Sequence, residues 1–194
     1  EDTELAACGV RALGEGTLAP ERPVLVNASL AADAVRRCED AGSKETGGAV
    51  LGKTIRLPRP LPGTETRVVT ILSSLVEDHR HVGMETVFSF SPEGLAEASR
   101  ISDIRGLGES VLTVFHTHGW SPDCRNCNPN SACPLADCSP SLQDYEMLSL
   151  FPSKGTLLPI SGRKPGVHGD HPVLQIHAWH GGQLQAIDWR QYHD

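Results

Sequence analysis

The chain has no excess of basic residues and no long apolar run. Its 194 residues include 17 Lys and Arg against 24 Asp and Glu, which gives a formal net charge of -7. Because the basic residues are scattered, the long-range field repels nucleic acid, and we expect no nucleic-acid partner. No apolar stretch approaches the roughly 20 residues that span a bilayer, so we expect no membrane association either.

Signals for targeting and for repeats are also missing. The N-terminal residues lack the basic-then-apolar pattern of a secretory signal peptide, which favours a cytoplasmic location. The length and a hydrophobic content of 39% match one soluble domain with a single sizeable core. We therefore predict one domain over residues 23–194. It is preceded by an N-terminal arm or linker over residues 1–22, where no sustained hydrophobic period is present.

Helix and strand signals alternate along the predicted domain. Helical patterns cover about 30–41, 91–105 and 139–151. The first is preceded by Ser29 as its predicted cap, and the other two begin at Ser91-Pro92 and Ser139-Pro140. Strand patterns cover 24–27, 47–57, 67–76, 86–90, 157–160, 173–179 and 183–189, with a further strand from about 110. This mixture of helices and mostly sequential strands predicts a layered α/β domain.

Two histidines follow a short, apolar and β-branched segment, Val111–Phe115. Residues two apart on a strand point to the same face, so His116 and His118 can bind one metal ion. Asp144, 26 positions after His118, offers a third ligand atom. Two His and one carboxylate leave a fourth tetrahedral position for water, as catalytic zinc sites do.

Each part of this pattern also has an ordinary structural interpretation. A His-x-His pair is often a polar pair on an exposed strand face. Ser141 and Asp144, three residues apart, are typical of a helix start. Glu45, just before a Gly-Gly pair, fits a turn. In combination and in this order, they favour a metal-dependent hydrolase.

The same combination resembles a known family. Its three parts are Glu45-Thr46-Gly47-Gly48, His116-Thr117-His118 and Ser141-Leu142-Gln143-Asp144. They are similar to the motifs of the JAMM (JAB/MPN) zinc metalloproteases, and the first part looks like their prokaryotic branch. The resemblance covers roughly residues 24–190. It implies a single MPN/JAB domain, a cytidine-deaminase-like three-layer α/β sandwich with a mixed, mostly antiparallel sheet.

The resemblance also implies a role for each residue. His116, His118 and Asp144 would hold the catalytic zinc, Glu45 would act as general base, and Ser141 would hydrogen-bond the developing oxyanion. The usual substrate in that family is an isopeptide or peptide bond after the C-terminal Gly of a ubiquitin-like protein. The implied partners are a ubiquitin-like protein or its conjugate, together with E1-like and E2-like conjugation enzymes of a bacterial system.

A cysteine-rich insertion at about 120–138 separates two parts of the motif. It contains Cys124, Cys127, Cys133 and Cys138. It lies between His118 and Asp144, where the family usually has only about ten residues. The cysteine spacing is similar to that of a zinc knuckle, and four thiolates would close a tetrahedral shell, so we predict a second, structural zinc. Two disulfides, or unpaired and regulatory thiols, are the alternatives.

Two other functional classes share part of the pattern. A noncatalytic MPN-type scaffold or binding module would keep the fold but would normally have lost a ligand or the Glu, and none is missing here. A zinc nucleobase deaminase has related layering, but it needs His-x-Glu and Pro-Cys-x-x-Cys, with Cys on the catalytic zinc. In this chain His118 stands where that Glu would be, and Cys124 follows Asp123 rather than Pro.

Overall fold

A computed structural model describes residues 3–42, 44–78, 91–119, 137–149, 156–163 and 172–194. Within these ranges there are four helices and nine strands. The helices are α1 (Thr3–Ala7), α2 (Ala28–Ala41), α3 (Pro92–Arg105) and α4 (Leu142–Ser149). The strands are β1 (Ala12–Gly16), β2 (Val24–Asn27), β3 (Gly47–Arg56), β4 (Val68–Glu77), β5 (Ser110–Thr117), β6 (Leu157–Gly162), β7 (Val173–His180), β8 (Gln183–Ile187) and β9 (Arg190–His193).

The nine strands form one mixed sheet in the order β1-β9-β2-β4-β3-β5-β6-β7-β8. The pairs β2–β4, β2–β9 and β5–β6 are parallel. The other five pairs are antiparallel. The predicted α/β class is confirmed. At the centre of the sheet, Gly47 at the start of β3 lies opposite His116 near the end of β5.

Helices cover both faces of this sheet. Val50 and Leu157 pack in the cluster that contains the buried face of α2. Their chain neighbours Ala49 and Leu158 pack instead with residues of α3 and α4, respectively. Because successive side chains on a strand point to opposite faces, α2 covers one face while α3 and α4 cover the other. The result is three layers, helix, sheet and helix.

The starts of two helices follow local capping chemistry. The side-chain oxygen of Asn27 accepts hydrogen bonds from the N–H (2.8 Å) and the hydroxyl (2.6 Å) of Ser29. The N-cap of α2 is therefore Asn27, and not Ser29 as the sequence pattern indicated. Helix α3 has the predicted bounds, with the Ser91 hydroxyl accepting from the Gly94 N–H. Among the described residues, no helix has both the length and the hydropathy to cross a membrane.

At both ends of the chain the structure differs from what the sequence predicted. Residues 3–16, predicted as part of an arm, include α1 and β1, and β1 pairs with β9. Leu5 and Val10 are buried there, so this segment belongs to the core. The strand predicted over 183–189 ends at Ile187 as β8, and a further strand that was not predicted, β9, begins at Arg190 and inserts between β1 and β2. The strand predicted over 86–90 lies outside the described residues.

Strands β3 and β4 approach each other closely at a glycine next to the site. A Cβ atom built on Gly48 would overlap the backbone carbonyl of Val76. We expect Gly48→Ala to lower the free energy of unfolding by about 1–3 kcal/mol, because the paired backbone has to move apart. Urea unfolding measures this change, and an unaltered unfolding midpoint would contradict the close approach.

Candidate metal centre

Three buried side chains converge where β5 ends and α4 begins. His116 Nε2 lies 3.2 Å from His118 Nε2 and 2.9 Å from Asp144 Oδ1. His118 Nε2 lies 3.7 Å from Asp144 Oδ2. His116 is only 2% exposed, His118 6% and Asp144 4%. The structure therefore brings together the three residues predicted as ligands, and together they could hold a metal ion.

The spacing of these atoms suits a small divalent cation. With bonds of about 2.0–2.1 Å, two ligand atoms of a tetrahedral zinc are about 3.3 Å apart. The separations of 2.9, 3.2 and 3.7 Å lie on both sides of that value. One ion fits between the three side chains with shifts of a few tenths of an ångström. The donor set, two imidazoles and one carboxylate, is one that zinc accepts.

Hydrogen bonding at the far side of His118 fixes its orientation. Its Nδ1 is hydrogen-bonded to the backbone carbonyl of Asp137. A carbonyl can only accept, so the Nδ1 atom carries a proton, and in the neutral ring Nε2 presents a lone pair to His116 and Asp144. Electron-rich atoms packed this closely in a buried site require a proton or a metal ion between them.

The pKa values of the metal-free centre reflect the same crowding. Burial raises the pKa of Asp144, but hydrogen bonds from His116, His118 and the Ser141 backbone outweigh it and hold the pKa well below its usual range. Burial lowers the pKa of His118, but the Asp144 carboxylate, the Asp137 carbonyl and the charge of Glu45 together raise it above the ordinary value. The carboxylate and the imidazole therefore stabilise each other in their charged forms.

Ser141 orients the carboxylate ligand. Its backbone N–H and its hydroxyl both donate to Asp144 Oδ2, at 2.6 and 2.9 Å. The Asp144 N–H donates back to the Ser141 hydroxyl at 3.3 Å. This reciprocal pair caps the start of α4 and places the carboxylate in its first turn, where the helix dipole favours a negative charge. The helix-start interpretation and a role at the site are therefore compatible.

Glu45 is close enough to the converging residues for its charge to act on His118. It is half-buried, two residues before β3, and its negative charge contributes to the raised pKa of His118. The next residue, Thr46, is hydrogen-bonded to Thr117 between the two histidines. The predicted general base and the predicted ligands thus meet at one end of the paired strands β3 and β5.

Only one member of the cysteine cluster lies within the described residues. Cys138 is buried, packs in the cluster that holds Leu148 of α4, and its thiol donates to the Val173 carbonyl at 3.5 Å. Cys124, Cys127 and Cys133 lie outside these residues, so the structural zinc stays a prediction.

Two further residues support the site and were not found from the sequence. The Asp137 carbonyl orients His118, and a backbone contact of this kind leaves no side-chain signature. The Tyr145 hydroxyl accepts a hydrogen bond from the Leu184 N–H at 3.2 Å, and its ring lies edge-on to Trp179 at 5.5 Å. These contacts fasten α4 to β7 and β8. The adjacency of an aromatic residue to a helical ligand was the only sequence signal for this contact.

Comparison with known proteins bears on the fold. No family model and no curated protein sequence matches the chain. The fold is similar to the solution structure of protein DSY2949 from Desulfitobacterium hafniense, with a TM-score of 0.53 and 13% identity. The match covers 88% of this chain and 94% of that one. At this identity the likeness concerns the fold alone.

Protons and a bound metal ion would compete for this centre. Because the pKa of His118 is raised in the metal-free fold, its stabilising contribution is complete below the unfolded pKa of about 6.5 and is lost as pH rises through the folded value. We expect the free energy of unfolding of the chelated protein to fall with pH above about 6.5. The stabilisation by bound zinc should increase as pH rises, by about 1.4 kcal/mol per pH unit for each proton that the ion displaces.

Urea unfolding between about pH 6.5 and 8.5 measures how the free energy of unfolding with zinc departs from that with chelator. Burial lowers the pKa of His177 on the neighbouring β7 to about 4. In the fold His177 is therefore neutral throughout this range, but its unfolded imidazole still binds protons at about pH 6.5, so it adds an opposite, rising slope that fades by about pH 7.5 and is the same with zinc and with chelator. His118→Gln should remove the stabilisation by zinc and the falling part of the pH slope that His118 contributes to the metal-free protein. Parallel stability curves with and without zinc in the wild-type protein would contradict the competition.

Proposed function

We propose that this protein is a JAMM-type zinc metallopeptidase that hydrolyses the bond after the C-terminal Gly of a ubiquitin-like protein. The observation that carries the proposal is the convergence of His116, His118 and Asp144, with the Glu45 carboxylate beside them. The substrate class is supported by the resemblance of the sequence motifs to that family. Conjugates and precursors with such a tail are both candidate substrates, and E1-like and E2-like conjugation enzymes are the proposed partners.

The chemistry divides between the metal and the side chains around it. Bound zinc would lower the pKa of a coordinated water towards about 7 and polarise the scissile carbonyl. Glu45 takes the proton of the attacking water and delivers it to the leaving amine. Its half-burial and the effect of its charge on the pKa of His118 support this role.

Ser141 has a second task in this proposal. Its hydroxyl donates to Asp144 Oδ2 in the present structure. When Asp144 shares its charge with a cation, this oxygen becomes a weaker acceptor, and the hydroxyl can turn to the substrate oxygen. Donation to a developing oxyanion is worth about 3 kcal/mol where such donors have been removed from other enzymes.

The depth of the centre suits a thin substrate. The three converging residues are almost fully buried, whereas Ser141 and Leu142 at the start of α4 are exposed, and Leu142 retains 84% of its accessible surface. A peptide has to reach down past this rim to the reacting groups. A Gly-rich tail can do so because it has no side chains to exclude it.

The role of Glu45 separates an enzyme from a noncatalytic MPN-type scaffold. We expect Glu45→Gln to lower the rate of hydrolysis by about 10²–10⁴-fold, because the general base is lost. Zinc content and thermal unfolding should stay unchanged. The substrates are ubiquitin-like proteins fused after their terminal Gly to a short peptide, assayed with and without chelator. Glu146→Gln, on the exposed side of α4, is the control.

A scaffold would give a different result. The wild-type protein would then cleave none of the fusions, and Glu45→Gln would change no property. A nucleobase deaminase would require a Cys thiolate on the catalytic ion. The converging group among the described residues is His, His and Asp, with no Cys. Hydrolysis of the fusions that survives Glu45→Gln at full rate would contradict the proposed mechanism.

The cysteine cluster gives an independent prediction of metal content. We expect two zinc ions per chain, one at the His-His-Asp centre and one held by Cys124, Cys127, Cys133 and Cys138. Cys124→Ser with Cys127→Ser should reduce the content to one ion and leave the first centre loaded. Elemental analysis with thiol titration measures both. One zinc and no reactive thiols in the unfolded wild-type protein would indicate disulfides instead.

A further inference from the structure

We propose that the hydroxyl of Thr117 is a positioning group that holds Glu45 at the metal centre, an inference that rests on the proposed function. Thr117 stands between the two histidines and is fully buried. Its backbone N–H donates to the Thr46 carbonyl at 2.7 Å. The Thr46 N–H donates in turn to Thr117 Oγ1 at 3.0 Å. Both backbone polar groups of Thr46 are therefore bound to one residue of the ligand strand.

The hydroxyl takes the place of a backbone acceptor at the end of a β-ladder. The last register pair of β3 and β5 is Gly47 with His116. In a regular antiparallel ladder, Thr46 and Thr117 would exchange two backbone hydrogen bonds. One of them is formed, but the Thr46 N–H goes to the side-chain oxygen of Thr117. The ladder ends at this point, and the chain leaves the sheet with Glu45 next to the anchored residue.

The direction of the Thr117 side chain excludes a direct role at the metal. Successive side chains on a strand point to opposite faces, so Thr117 points away from the face that carries His116 and His118. It can act on the reaction only through the backbone of Thr46. Glu45 is the adjacent residue, and its carboxylate acts electrostatically on His118. Loss of the hydroxyl should therefore displace the base while the ligands stay in place.

The same strand supplies a matched control. Thr113 is also fully buried, and its hydroxyl donates to the Leu157 carbonyl, away from Glu45. Thr117→Val and Thr113→Val each remove one buried hydroxyl and keep the β-branched shape. Thr117→Ser keeps the hydroxyl and removes only a methyl group. A difference between the two Val variants therefore reports the position of the lost hydroxyl rather than the loss of a polar group.

A readout without substrate comes first. Amide hydrogen exchange by NMR should show Thr46 exchanging about tenfold faster or more in Thr117→Val, because its N–H has lost its acceptor. Exchange at Thr46 should be unchanged in Thr117→Ser and in Thr113→Val. Zinc bound at the His-His-Asp centre should be equal in all variants. Unchanged exchange at Thr46, or loss of zinc in Thr117→Val, would overturn the inference.

Hydrolysis of a fusion that the wild-type protein cleaves gives the second readout. Thr117→Val should lower kcat by about 10–100-fold with KM unchanged, as misplacement of a reacting group does. Thr117→Ser should restore kcat, and Thr113→Val should keep it. In a Glu45→Gln background, Thr117→Val should cause no further loss, because both changes remove the same function.

Failures of the two proposals are distinguishable. If Glu45→Gln is inactive but Thr117→Val keeps its kcat, or adds its full loss to that of Glu45→Gln, the positioning role is wrong and the proposed function stands. If no fusion is cleaved by the wild-type protein, the proposed function fails, and so does the role of Thr117 in it. If Thr117→Val does not fold, Thr117→Ala takes its place, and equal kcat values for the Ser and Ala variants would overturn the inference.

Discussion

The candidate site depends on one contact, the approach of the Asp144 carboxylate to the imidazole of His116 at 2.9 Å. It joins the end of β5 to the first turn of α4. Each partner is fixed by its own surroundings. β5 lies in the middle of the sheet, between β3 and β6. α4 is held by the packing of Leu148 and by the hydrogen bond of Tyr145 to β8. The site therefore follows from how two rigid elements are packed.

This contact also creates an electrostatic problem that a cation resolves. Two imidazoles and a carboxylate are buried together, and the Asp137 carbonyl turns the lone pair of His118 towards the others. Without a cation such a group is costly, because the acceptor atoms that face one another have lost water and the two donors of Ser141 satisfy only Asp144 Oδ2. A proton can fill the gap, which is why the pKa of His118 is raised and that of Asp144 is lowered. A metal ion could fill the same place, and its binding would then be coupled to stability.

The sequence predicted those parts of the fold that depend on local patterns. The period of two predicted that His116, near the end of β5, and His118, just after that strand, share one face, and Ser91 with Pro92 predicted the start of α3. Parts that depend on distant partners were missed. Ala12–Gly16 contains two glycines and no apolar alternation, and it is a strand because β9 pairs with it. The break between β8 and β9 and the hydrogen bond of the Asp137 carbonyl arise in the same way, from tertiary contacts.

Metal ligation at the His-His-Asp centre is the central claim, and X-ray absorption spectroscopy at the zinc edge tests it most directly. Measured on the Cys124→Ser/Cys127→Ser protein loaded with one equivalent of zinc, the spectrum should show two imidazole nitrogens and carboxylate or water oxygens at about 2.0–2.1 Å, with no sulfur. Asp144→Ala in the same background should lose the ion or change its coordination. A spectrum dominated by sulfur, or one that does not respond to Asp144→Ala, would contradict ligation by His116, His118 and Asp144.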